Sequence, residues 1–121
     1  FNETYVLLGR TYTAKQDLDQ AAAAYQQAIS LRPDVAEAYA KLAFVYHQQE
    51  NLPGAIESFR AYIQLSPDAP NAWEAHKNLA LIYKQSGDIT QAIAELEIAA
   101  SLAEDNTQKN LNDLVKQWQA Q

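Results

Sequence analysis

The side chains best suited to acid–base or metal chemistry here are two histidines and fifteen carboxylates, and no cysteine accompanies them. His47 and His76 are far apart in sequence, and neither has a His or carboxylate four positions away in the spacing of a helical metal pair. Glu95 and Glu97, like Glu104 and Asp105, are sequence neighbours, but residues one or two apart on a helix do not face each other, so these carboxylates are expected to be solvated. A Gly-rich phosphate loop, a Gly-x-Ser-x-Gly elbow and a thiol nucleophile are all missing. The expectation is a protein that is not an enzyme and takes no cofactor and no metal.

The bulk properties narrow the partners. A formal charge of −6 argues against nucleic acid, whose binding needs clustered Lys and Arg to release counterions. No stretch of 18 apolar residues exists, so direct membrane insertion is not expected. With 48% hydrophobic residues, three Gly and four Pro in 121 residues, the chain suits one ordered, mostly helical domain. It contains no Met, which reads as a processed product or an excised fragment. Any signal or anchor segment would lie outside this sequence, and with no thiol either, the sequence does not set the compartment.

The elements that must position any site repeat. Tyr5, Leu8, Gly9 and Tyr12 recur 34 residues later as Tyr39, Leu42, Ala43 and Tyr46. Ala21, Tyr25, Ala28 and Pro33 recur at the same spacing as Ala55, Phe59, Tyr62 and Pro67. A third copy runs through Leu79, Ala80, Tyr83, Ala92, Leu96 and Ala99, with Glu104 in the Pro position. Its spacing from the second copy is 37, so three residues are added near Asp68-Ala69-Pro70, and His76 rather than Trp73 takes the position of Tyr5 and Tyr39. Each copy carries two stripes of apolar residues at helical spacing, with small residues on one helix facing Tyr25, Phe59 or Leu96 on the other.

Helix ends are marked as well. Asp17, Asn51 and Asp88 follow the breaks within the copies and are expected to N-cap the second helix of each, with Pro53 in a first turn. Asp34 with Glu37, and Asn71 with Glu74, have capping-box spacing. Beyond residue 104, Leu111, Leu114, Val115 and Trp118 form a further stripe backed by polar residues, a final helix capped by Asn106 with Trp118 as part of a lid.

This pattern resembles the tetratricopeptide repeat family, whose signature is W-x2-L-G-x2-Y, then A-x3-F, Ala and Pro. The resemblance implies an all-α fold, an αα-superhelical solenoid of three helix-turn-helix repeats over 1–34, 35–70 and 71–104, with a C-terminal capping helix over 105–121. It also implies a concave groove lined by the first helix of each repeat. Those linings are Glu3, Val6, Arg10 and Thr13; then Glu37, Ala40, Lys41, Phe44 and His47; then Glu74, Lys77, Asn78, Leu81 and Lys84.

Arg10, Lys41, Lys77 and Lys84 are four of nine basic residues and fall on this one surface, either as an ordinary solvated face or as a cationic groove. Phe44 and Leu81 would add an apolar strip between them. Trp73 either staples the entry of its helix or contacts a partner at the groove rim. The family's two-carboxylate clamp finds Val6, Arg10, Lys41, Glu74 and Asn78 in its five positions, and none matches. The function implied is a protein-interaction scaffold that takes a segment or helix of a partner bearing acidic and apolar residues. The alternative is self-association or domain tethering through an exposed end of the array.

Overall fold

The computed structural model describes residues 1–121 and contains seven helices: α1 (Asn2–Ala14), α2 (Leu18–Leu31), α3 (Ala36–Gln48), α4 (Leu52–Leu65), α5 (Ala72–Gln85), α6 (Ile89–Leu102) and α7 (Asp105–Gln119). They fall into two compact units, Phe1–Leu65 holding α1 to α4 and Ser66–Gln121 holding α5 to α7. No helix is long and apolar enough to cross a membrane.

In the first unit α1 pairs with α2 and α3 with α4. Large side chains enter gaps left by small ones. The Tyr25 ring of α2 lies so close to Gly9 of α1 that a Cβ at Gly9 would come within 2.6 Å of it. Tyr25 joins Ala21, Ala22, Leu42 and Val45 in a buried cluster, and Val6, Tyr12, Leu18, Ile29 and Tyr46 pack around it. In the second pair Ala43 and Phe59 take the corresponding positions, both buried. Leu8 departs from the pattern: it is 40% exposed, whereas its equivalents Leu42 and Leu79 are 5% and 1% exposed. Leu42 is covered by Ala21, Ala22 and Tyr25 of α2, the helix before its own, and α1 has no such helix against it.

In the second unit α5 packs on α6, and α7 covers α6. Ala75, Leu79, Ala80, Leu96 and Ala99 are buried, as are Leu111, Val115 and Trp118 of α7. The Gln108 side chain of α7 donates a hydrogen bond to the Ala100 carbonyl at 3.0 Å, tying the last helix to α6.

The turns inside the three pairs are alike. Gln16, Glu50 and Gly87 each adopt a left-handed backbone, with φ of 62°, 62° and 94°. The next residue's amide reaches back five positions, Asp17 to Tyr12, Asn51 to Tyr46 and Asp88 to Tyr83, at 2.8–2.9 Å. That is the Schellman closure, which satisfies carbonyls left open at a helix end. The same three residues then cap the following helix, as expected: Asp17, Asn51 and Asp88 accept from the amides of Gln20, Gly54 and Gln91 at 3.4, 3.1 and 3.1 Å.

The connections between pairs differ from expectation. The N-cap of α3 is Val35, so Asp34 lies one position too early to reach the first-turn amides. Its carboxylate instead accepts from Arg32 Nε at 3.2 Å, which together with backbone hydrogen bonding holds it below the usual Asp range. Asn71 is the N-cap of α5, but its side chain makes no cap bond; its carbonyl accepts from the Glu74 amide at 3.0 Å. Neither capping box forms. Asn106 lies inside the first turn of α7, whose N-cap is Glu104, because the Glu104 carbonyl already accepts from the amides of Thr107 and Gln108. Pro70 precedes α5, so the longer spacing lengthens the loop over 66–71.

Candidate protein-interaction faces

One face of the first unit is built by α1 and α3. Arg10 and Phe44 hold the same repeat position on these two helices, 34 residues apart. A helix turns about 100° per residue, so Lys41 lies one turn before Phe44 on its own side and His47 one turn after it. Phe44 is 51% exposed, yet it is not loose: its ring meets that of Phe59 edge-on, with centroids 5.3 Å apart and planes at 83°. Lys41 lies 3.8 Å from Glu37 one turn earlier, while Arg10 stands exposed. His47 is half-buried and engaged.

Arg10, Lys41, Phe44, Thr13 and Tyr25 line a hollow of about 320 Å³. Burial pushes the Tyr25 hydroxyl above its ordinary pKa, against the pull of hydrogen bonding with Thr13 and the Arg10 charge, so the hollow contains a neutral phenol. Thr13 is held in turn by its bond to the Gly9 carbonyl at 2.7 Å. The hollow thus brings together two cations, one of them beside Glu37, an apolar ring and a neutral hydroxyl.

The remaining candidate residues belong to the second unit. Leu81 of α5 is 41% exposed, with Lys77 and Asn78 half-buried about a turn earlier. Lys84 stands over the Trp118 ring, its Nζ 5.0 Å from the centroid, so this cation is engaged with α7. Trp118 itself is 4% exposed and forms part of the lid. Trp73 is half-buried and lines a smaller hollow of about 220 Å³ with Pro67, Ala69, Pro70 and Leu102. It therefore packs at the entry of α5 against the preceding loop. No group of three or more His, Asp or Glu side chains converges in a way that could hold a metal ion.

One polar pair went unforeseen. His76 Nδ1 lies 2.7 Å from Glu95 Oε2, and the two side chains are only 12% and 18% exposed. Glu95 is thus not a solvated carboxylate: α5 and α6 bring it against a partner 19 residues away. A signal for it existed in the repeat, since the pair corresponds to Tyr39 and Ser58 in the second copy and to Tyr5 and Ala24 in the first.

With this geometry the comparisons agree. Family models described as TPR repeat and tetratricopeptide repeat match residues 9–50, and 36–69 with 74–106. The chain is 28% identical over 90 residues to the general transcriptional corepressor ssn6 of Schizosaccharomyces pombe, covering 74% of this chain and 8% of that protein. The fold is similar to the N-terminal domain of stress-induced protein-1 from C. elegans, with a TM-score of 0.87, 18% identity, and 98% and 94% of the two chains covered. It is also similar to the TPR2B domain of yeast Sti1 in a complex with pHsp70, with a TM-score of 0.76, 22% identity, and 97% and 91% covered. Matched over most of its length by repeat models and built from the helix pairs those models describe, the chain belongs to the tetratricopeptide repeat family.

Proposed function

We propose that the chain is a non-enzymatic protein-interaction module that holds a segment or helix of a partner protein on the faces of its first-in-pair helices. The observation that carries this reading is Phe44: the residue is 51% exposed although its ring is braced by Phe59, and it shares a hollow with Arg10 and Lys41. An aromatic anchored from beneath and flanked by cations is the composition of an interaction hot spot. The partner segment would carry an apolar anchor with acidic neighbours, and Lys77, Asn78 and Leu81 of α5 offer a similar mixture. The yeast structural neighbour is described in a complex with pHsp70, which supports a partner of protein nature.

The test is a library of random dodecapeptides displayed on phage and selected on the full chain. Selected sequences are expected to combine acidic and apolar residues, and their affinity should weaken as salt rises, because surface charges are screened. Replacing Lys41 and Phe44 together by Ala should abolish binding while helicity persists. Unchanged affinity in that variant would remove the α1–α3 face from consideration.

A second reading rests on a different observation. Leu7 and Leu8 are 61% and 40% exposed on α1 of the first unit, apolar surface suited to self-association or to tethering a neighbouring domain. Sedimentation velocity over a hundredfold concentration range separates the two: a constant monomer excludes self-association.

A further inference from the structure

On the side of α3 opposite Phe44 lies a larger cavity. At about 100° per residue, Tyr39, Leu42 and Tyr46 fall along one line of α3, roughly half a turn from Phe44. In the first unit they face a cavity of about 590 Å³ that α2 and α4 complete, a size within the range of about 300–1,000 Å³ for small-ligand pockets.

Leu42, 5% exposed, is its apolar floor. Tyr39 and Tyr46 stand about 10 Å apart along the helix axis, two turns from one another. The Tyr46 hydroxyl is held by the Gln26 side-chain amide, which donates to it. Its ring also rests against Gly54, where a Cβ would come within 2.9 Å of Tyr46 Cδ2. Both contacts fix the ring before any ligand arrives. Glu57 of α4 lines the same cavity, exposed and without an ion pair, and no Lys or Arg does so.

We infer that this cavity binds an arginine side chain of a partner protein, its stem lying on Leu42 between the two tyrosines and its guanidinium meeting Glu57. The charge balance selects a cation: the lining has one unpaired carboxylate, two electron-rich rings and no positive group. A guanidinium fits better than an ammonium because it is planar, weakly hydrated and stacks on aromatic faces while its methylenes cover apolar surface. The site is independent of the acid-seeking hollow beside Phe44, and the two together would let one array grip partner segments of opposite charge on opposite sides of α3.

The experiment is a two-dimensional amide NMR titration of the 15N-labelled chain with N-acetyl-arginine amide. Saturable shifts are expected at Tyr39, Leu42, Gly54 and Glu57. The neutral isostere N-acetyl-citrulline amide should bind at least tenfold more weakly. Glu57→Lys and Glu57→Gln, both at an exposed position, should abolish or weaken binding at least tenfold with helicity unchanged, and Glu97→Gln, at an exposed carboxylate outside the cavity, should bind as the unaltered chain does. Non-saturating shifts spread over the acidic surface would overturn the proposal, as would equal binding of the citrulline compound or full binding by Glu57→Lys.

Discussion

His76 stands where the first two repeats have tyrosine, and Glu95 stands where they have alanine and serine. A tyrosine beside a small residue fills space by bulk, whereas the imidazole is shorter and is met by a carboxylate at 2.7 Å. One residue of the pair without the other leaves either a cavity or a half-buried polar group lacking its partner, and a group so stranded costs about 1–3 kcal/mol. His76→Tyr and Glu95→Ser should therefore each destabilise the protein, while the double variant, which reproduces the Tyr39 and Ser58 pair, should recover to within about 0.5 kcal/mol of the original. Urea unfolding of the four proteins gives the coupling. Strictly additive losses would mean that the pair does not act as a unit.

At the scale of the helix, end residues that look equivalent in sequence differ in what their side chains reach. Asp88 accepts from the Gln91 amide at 3.1 Å, but Asp34 lies outside its helix beside Arg32, both side chains largely exposed. Asp88→Ala is expected to cost about 1 kcal/mol, the usual loss of a helix cap. Asp34→Ala should stay within about 0.5 kcal/mol, as surface changes do. Thermal unfolding of the two variants side by side checks this, and equal losses would show that the Asp34 capping box forms in solution after all. The three turns inside the pairs follow one geometry because the Schellman closure and the cap share a residue. The loops between pairs vary in length, four residues over 32–35 and six over 66–71, and no side chain caps α3 or α5.

At the scale of the molecule, each unit leaves a different surface. In the second unit α7 closes the apolar side of α6, with Trp118 buried and Lys84 above its ring. Trp118→Ala should cost about 3–5 kcal/mol, the range for emptying a buried aromatic site. Calorimetry should show a lowered Tm, and binding of a hydrophobic dye should rise as the α6 surface opens. A Tm unchanged within error would mean that α7 is not the lid. In the first unit Leu7 and Leu8 are exposed on α1 and Phe44 on α3, and the two candidate docking features lie on opposite sides of α3.

The sequence by itself determined the helices, their pairing and the family, because these depend on short-range periodicity and on large-against-small complementarity repeated three times. Gly9 against Tyr25 and the caps at Asp17, Asn51 and Asp88 were legible for the same reason: each acts within one repeat. Trp118 was legible as lid because its stripe has one apolar side. Only the tertiary structure decided which polar groups meet across helices. His76 finds Glu95, Lys84 finds Trp118, and Glu57 borders one cavity with Tyr39 and Tyr46, all through contacts between different helices whose sequence separation follows no helical period. Hydrophobic burial is read from a pattern along the chain, but a hydrogen bond or a cavity depends on where two side chains end in space.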